Sequence, residues 1–156
     1  MTNETPKIVE LPAFKVVGLE LTCTMADTMK IPALWTEFGG KMGSVPQHEG
    51  IYGVCLPAGP DPNQFRYLAC ARVADNAPVP EGMQEAQVPA AKYAVYPFKG
   101  KPEQMGAVFG DIYGRRLAAA GLTPANGGMP CLELYAEDCM DEKTGELKAD
   151  LYIAVE

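Results

Sequence analysis

The feature that most constrains the fold is a repeated order of predicted elements along the chain: a strand, a helix and two further strands. In the first copy, apolar residues alternate with period two over residues 14–23, which predicts a strand with one buried face. Apolar residues then recur at helical spacing from Ile31 to Met42 and predict a helix of about three turns. Residues 51–56 and 65–73 complete this copy as two strands, joined by a loop whose prolines and glycine exclude regular structure.

The second copy follows the same order. Residues 92–98 predict its first strand, and the segment 100–103 opens a helix with a proline in the first turn. Gly121 suits the end of this helix, and residues 130–137 and 148–155 then predict two strands around a polar loop. The helix has one apolar face, which comprises Met105, Val108, Phe109, Ile112, Leu117 and Ala120.

The two predicted helices align with each other without a gap, residues 34–41 against residues 108–115, which indicates an internal duplication. The pattern therefore predicts an α+β fold in which two pseudo-two-fold-related βαββ repeats form an antiparallel sheet, with one main helix per half and a ligand groove between the halves. A chain of 156 residues has the size of one ordinary domain. We expect a single domain over residues 1–156, with repeat one at about 8–75 and repeat two at about 83–156.

The balance of charge restricts the partners that the chain can have. A formal net charge of -7 repels phosphate backbones and attracts cations, although an acidic surface also serves solubility. Only a handful of residues precede the first strand, so we expect no DNA-reading helix-turn-helix and no direct nucleic-acid binding. The sequence has no secretory signal and no apolar run near the roughly 20 residues of a membrane span, so we expect a cytoplasmic protein without a membrane partner.

Several kinds of site lack support in the sequence. The five cysteines form no C-x-x-C pair, which favours reduced and mostly buried thiols; they are Cys23, Cys55, Cys70, Cys131 and Cys139. His48 is the only histidine and lies in a predicted polar loop, so a zinc site or an imidazole-based catalytic site would depend on that residue alone. No P-loop or dinucleotide-binding glycine motif is present. We therefore predict no metal and no cofactor.

Five short segments, taken in order, resemble one known family. They are Ile31 to Phe38, Tyr52 to Val54, Phe65 to Tyr67, Val88 to Tyr96 and Leu132 to Tyr135. This succession is similar to the GyrI-like superfamily, the effector-binding domain of AraC-type regulators, from about Ile8 to Glu156. The resemblance implies a paired βαββ fold. It also implies one of three roles: ligand sensing for transcription regulators, inhibition of DNA gyrase, or cyclopropanoid hydrolysis.

Glu133 is the first candidate for a functional residue. It interrupts an apolar strand, and period two places Cys131, Glu133 and Tyr135 on one face. From the residues alone, such a carboxylate is either on a solvated face or buried with a purpose, and exposure is the commoner case. The resemblance implies the second reading, because Glu133 matches the glutamate that is characteristic of the family's pocket.

Aromatic side chains are the other candidates for the site. Trp35, on the apolar face of the first helix, is either core or a stacking surface for a planar or cationic ligand. Tyr152 alternates with Leu151 and Ile153, and we expect it to share the face of Glu133. The same choice between core and pocket lining applies to the remaining candidates, Tyr93, Phe109 and Tyr113.

These residues support two functions of different classes. The first is stand-alone binding of apolar or aromatic small molecules, cations among them, in a pocket centred on Glu133, with Trp35 or Tyr152 within one side-chain length. The second is a cyclopropanoid cyclohydrolase in which Glu133 and Tyr152 are catalytic. A third possibility is a protein partner of the DNA gyrase inhibitor kind. The absence of a nucleophile–base pair favours binding.

Overall fold

The protein is an α+β chain with antiparallel strands, as the sequence predicts. A computed structural model describes residues 6–24, 30–45, 49–59, 64–101, 104–125, 129–141 and 143–156. The strands are β1 (Lys7–Leu11), β2 (Phe14–Thr24), β3 (Ile51–Pro57), β4 (Gln64–Val73), β5 (Gln84–Val88), β6 (Ala91–Gly100), β7 (Cys131–Met140) and β8 (Leu147–Ala154). The helical segments are α1 (Ile31–Lys41), a 3-10 turn (Met42–Ser44), α2 (Met105–Asp111), a π-helical turn (Ile112–Arg116) and α3 (Leu117–Ala119).

The two predicted copies have the same strand arrangement. The chain divides into a first-repeat unit, residues 12–90, and a second-repeat unit, residues 1–11 with 91–156. In the first-repeat unit the strands lie in the order β3, β4, β2, β5, and every neighbouring pair is antiparallel. In the second-repeat unit the order is β7, β8, β6, β1, again antiparallel. Each copy therefore places its third strand between its second and its first.

Two short strands were not predicted from the sequence. β5 adds to β2 of the same unit, whereas β1 precedes the first repeat along the chain but pairs with β6 of the second. The two units therefore differ from the predicted repeats of about 8–75 and 83–156 at these strands. Both have five residues and mostly exposed or half-buried side chains, so they carry no strong pattern of a buried face.

The core of the first-repeat unit lies between α1 and the sheet. Phe38 is fully buried there, together with Val17 and Leu19 of β2 and Ala69 and Ala71 of β4. These strand residues alternate with period two, and Phe38 lies on the apolar stripe of α1. The buried face of the sheet therefore packs against the apolar face of the helix. The predicted helix is confirmed, with Leu34 and Trp35 half-buried beside Phe38.

The predicted second helix is continuous from Met105 to Ala119 but contains a π-helical turn. Met105, Ile112 and Leu117 are its buried residues. The step from Ile112 to Leu117 is five residues, which in a regular α-helix would rotate Leu117 away by about 140°. The wider π turn accommodates the additional residue and keeps Leu117 on the buried side.

The end of this helix follows the sequence prediction, and its beginning does not. The Gly121 amide donates to the Ala118 carbonyl at 3.0 Å and the Leu122 amide to the Leu117 carbonyl at 2.9 Å. With φ of 74° at Gly121, this is the Schellman termination in which glycine is preferred. At the other end, Gly100 is the last residue of β6 and pairs with Leu147, so it does not open the helix. Pro102 and Glu103 lie outside the described residues.

Within the described part of the chain, every helix is too short or too polar to cross a membrane.

Candidate functional site

Glu133 lies on β7, in the second-repeat unit, on the side of the sheet that the helices cover. It is opposite Leu151 of β8, which is opposite Tyr96 of β6, and directly opposite residues share a face. The Arg116 guanidinium lies 4.6 Å from the centre of the Tyr96 ring. The Tyr135 hydroxyl is 3.9 Å from the sulfur of Met105 in α2. We call this side the covered face.

The Glu133 side chain is buried, with 7% of its surface exposed. Among the residues whose burial the structure describes, no other charged residue is buried. Its immediate partner is Tyr135, whose hydroxyl donates a hydrogen bond to Oε1 of Glu133 at 2.6 Å. Glutamates are rarely buried without a partner. The low exposure of Glu133 agrees with the burial that the resemblance implies, and its role in a ligand pocket stays a prediction.

Tyr152 does not share the face of Glu133, and that expectation was wrong. The register pairs Leu132 with Tyr152 and Glu133 with Leu151, so Tyr152 lies on the opposite side of the sheet. There its ring packs edge-on against Tyr93, with ring centres 5.7 Å apart. Alternation within β8 separates Tyr152 from Leu151, but only the register between strands decides which of the two faces Glu133.

Trp35 belongs to the first-repeat unit, where α1 places it half-buried against the core. Its indole nitrogen donates a hydrogen bond to the Tyr67 hydroxyl at 2.9 Å, and its ring lies edge-on to Phe38 at 6.0 Å. Both contacts fix the orientation of the indole. The proximity of Trp35 to Glu133 stays a prediction.

We expect the hydrogen bond between Trp35 and Tyr67 to contribute about 1 kcal/mol to the free energy of unfolding, the usual net value for such a bond. The test is a double-mutant cycle of Trp35→Phe and Tyr67→Phe in urea unfolding, since each change removes one partner of the bond. A coupling energy of about 0.5 kcal/mol or more is expected. Strictly additive losses would show that the bond is energetically neutral.

The other aromatic candidates differ in exposure. Tyr93 is fully buried beneath Tyr152, Phe109 is half-buried on α2, and Tyr113 in the π turn is exposed by 38%. Next to Tyr113, Arg115 forms two hydrogen bonds of 2.9 Å with the exposed Asp111 carboxylate. This hydrogen bonding, opposed by slight desolvation, holds the pKa of Asp111 below its ordinary value. The stabilisation from this pair is present at neutral pH and is lost as the pH falls through the lowered pKa.

Sequence reasoning missed two side chains of the covered face as site residues: Tyr135 and Arg116. The signal for Tyr135 was present, because period two places it beside Glu133. Arg116 had no such signal, since its position above Tyr96 depends on the π turn. Cys23, Cys70 and Cys131 are buried and Cys55 is half-buried, as expected of thiols in a core. His48 and the side chain of Cys139 lie outside the described residues.

The match to a known family covers almost the whole chain. Residues 4–156 match the model of the GyrI-like small molecule binding domain. The chain belongs to this family. The resemblance read from five short segments is thereby confirmed, and small-molecule binding is the property that defines this GyrI-like domain.

Two relatives of known role resemble the GyrI-like chain to different extents. It is 38% identical over 158 residues to the transcriptional regulator BrlR of Pseudomonas aeruginosa, covering 98% of this chain and 56% of BrlR. It is 33% identical over 103 residues to the DNA gyrase inhibitor of Serratia proteamaculans, covering 64% of each. The match thus spans 56% of the length of BrlR and 64% of the length of the gyrase inhibitor, less than two thirds of either.

The fold agrees with solved structures. The structure of SAV2435 bound to tetraphenylphosphonium has a TM-score of 0.74 and 16% sequence identity, covering 97% of this chain and 93% of that one. At this identity the likeness shows the shared GyrI-like fold.

Proposed function

We propose that this GyrI-like domain binds apolar or aromatic cations at a site centred on Glu133. The observation that carries the proposal is the burial of the Glu133 carboxylate on the covered face. Burying an ionised carboxylate costs free energy unless a positive or hydrogen-bonding group compensates it. A buried carboxylate in a binding domain therefore favours ligands that bring a positive charge to it over neutral ligands of the same shape.

Three further observations support a cationic ligand. The chain carries a net charge of -7, which attracts cations. The domain family is one of small-molecule binders. The structural relative SAV2435 is bound to tetraphenylphosphonium, an apolar aromatic cation. We propose that this chain also binds apolar aromatic cations, and that the binding serves to sense or to sequester toxic compounds.

Aromatic side chains are proposed to hold the apolar part of the ligand. Trp35, with its oriented indole, is the best platform for a planar or cationic group. Phe109 and Tyr113 are the candidates from the helix of the second-repeat unit. Tyr152 and Tyr93 lie on the side of the sheet opposite Glu133, so we do not assign them to this site. Apolar contacts contribute the same binding free energy to neutral and to charged ligands of one shape. The difference in affinity between such ligands is therefore set by the carboxylate.

We expect the protein to bind tetraphenylphosphonium at least about tenfold more tightly than neutral triphenylphosphine oxide, because the carboxylate favours a positive charge by about 1.4 kcal/mol or more. Isothermal titration calorimetry with both compounds measures this ratio of dissociation constants, which we call the selectivity ratio. The ratio should persist at high salt, since a buried charge is screened less than a surface charge. Equal affinities for both compounds would contradict the proposal.

Hydrolysis is the alternative use of the same site. A buried carboxylate beside a tyrosine hydroxyl is suited to general acid–base chemistry, with Tyr135 rather than Tyr152 as the neighbouring hydroxyl group. Mass spectrometry of a cyclopropanoid compound after incubation separates the two functions. Recovery of the unchanged compound supports binding, and a gain of water that depends on Glu133 supports hydrolysis. The lack of direct DNA binding stays a prediction.

A further inference from the structure

Tyr135 and Glu133 form a pair on one strand that the proposed binding site does not by itself explain. The two residues are two positions apart on β7, so their side chains project side by side from the covered face. The distance of 2.6 Å between the Tyr135 hydroxyl oxygen and Oε1 of Glu133 is in the range typical of a hydroxyl donating to a charged carboxylate. The bond therefore favours the ionised form of Glu133.

The hydroxyl of Tyr135 has one hydrogen, and its surroundings include a strong and a weak acceptor. One is Glu133 Oε1 at 2.6 Å, and the other is the Met105 sulfur at 3.9 Å. A thioether is a weak acceptor, so the hydrogen is donated to the carboxylate. Met105 in α2 then contacts the hydroxyl from the helix side.

We infer that Tyr135 is a positioning residue of the Glu133 site, which orients the carboxylate and keeps it charged so that the site selects cations. This inference rests on the proposed function. A carboxylate offers about four lone-pair positions, so one hydrogen bond orients the group without saturating it. A hydrogen bond to the charged form also offsets part of the desolvation that favours the neutral form.

Other groups on the covered face bear on the charge of Glu133. One cation on this face is Arg116, whose guanidinium lies over the ring of Tyr96 on β6. Cys131 lies two residues before Glu133 on the same face, and β8 contributes the apolar Leu151 between β7 and β6. Tyr135 contacts the carboxylate oxygen of Glu133 directly, as a hydrogen-bond donor.

The test uses the full chain with Tyr135→Phe, which removes the donor and keeps the ring. We expect tetraphenylphosphonium to bind about three- to tenfold more weakly, the usual scale for one hydrogen bond, while triphenylphosphine oxide binds as before. The pH at which cation affinity falls to half should also rise, because the charged form of Glu133 has lost a donor. Tyr52→Phe, the same change at a buried tyrosine of β3, is the matched control and should retain the wild-type values.

The outcomes separate the inference from the proposed function. If the wild type itself shows no preference for the cation, the proposed function fails. If Glu133→Gln loses the preference but Tyr135→Phe keeps both the selectivity ratio and the pH midpoint of the wild type, the positioning role is overturned and the function stands. An equal loss of both ligands in Tyr135→Phe would show a merely structural tyrosine and would also overturn the inference. Thermal melting of each variant identifies a folding defect.

Discussion

Replacing Glu133 by glutamine is expected to weaken the binding of tetraphenylphosphonium at least about tenfold and to leave triphenylphosphine oxide within about twofold of the wild type. Glutamine keeps the shape of the side chain and an acceptor oxygen for the Tyr135 hydroxyl. The change removes the negative charge and replaces the second acceptor oxygen by an NH2 donor. Titration calorimetry of both compounds with both proteins measures the effect. The selectivity ratio should fall towards one.

The matched control is Glu37→Gln, which changes the net charge by the same amount at an exposed position of α1. It should keep the selectivity ratio, since exposed charges are screened by solvent and salt. Equal losses in the two variants would assign the cation preference to the overall charge of the protein. The free energy of unfolding of Glu133→Gln should be no lower than that of the wild type by more than about 1 kcal/mol, because a neutral amide costs less to bury than a carboxylate.

Replacing Gly18 by alanine is expected to destabilise the protein by about 1–3 kcal/mol or more, the usual cost of overpacking a core. A Cβ at this position of β2 would lie against the carbonyl oxygen of Ala69 and 2.6 Å from Cα of Cys70. Both are backbone atoms of the neighbouring strand β4, which pairs Gly18 with Cys70. Neither atom can move aside as a flexible side chain would. Urea unfolding measures the loss.

The same substitution at Gly110 is expected to act in the opposite direction. This glycine is exposed on α2, and a Cβ there would meet nothing within 4 Å among the described residues. Alanine should stabilise the helix by about 0.5–1 kcal/mol, because glycine loses more backbone entropy on folding. A urea midpoint of Gly18→Ala at or above that of the wild type would contradict the steric explanation, and a lower midpoint of Gly110→Ala would contradict the entropic one.

The elements of the fold could be predicted because their patterns are local. The alternation over residues 14–23 matches β2, and the helical spacing from Ile31 matches α1. In both, the side-chain period is the geometric period of the element, so burial of one face is visible in a single stretch of sequence. Gly121 ends its helix for a reason that is equally local, since its positive φ favours glycine.

Other features required the tertiary structure because they depend on residues that are distant in sequence. The register between β7 and β8 placed Tyr152 on the side opposite Glu133, although alternation within each strand had been read correctly. The π turn could not be seen in a helix pattern that looked regular apart from the five-residue step to Leu117. β1 joins the second repeat by pairing with β6, a contact between residues eighty or more positions apart in sequence.

The sequence by itself therefore determined the class of fold and the duplication, because alternation and helical spacing report burial within one element. The choice of Glu133 came from the resemblance of the sequence to the GyrI-like family. Whether Glu133 was solvated or buried, which tyrosine is its neighbour and what contacts that tyrosine were decided only by the tertiary structure. Tyr135 meets Glu133 because both leave the same face of β7, and Met105 reaches Tyr135 because α2 packs on that face. Such side-chain contacts depend on the register between strands and on helix packing, which the pattern of residues along one element does not encode.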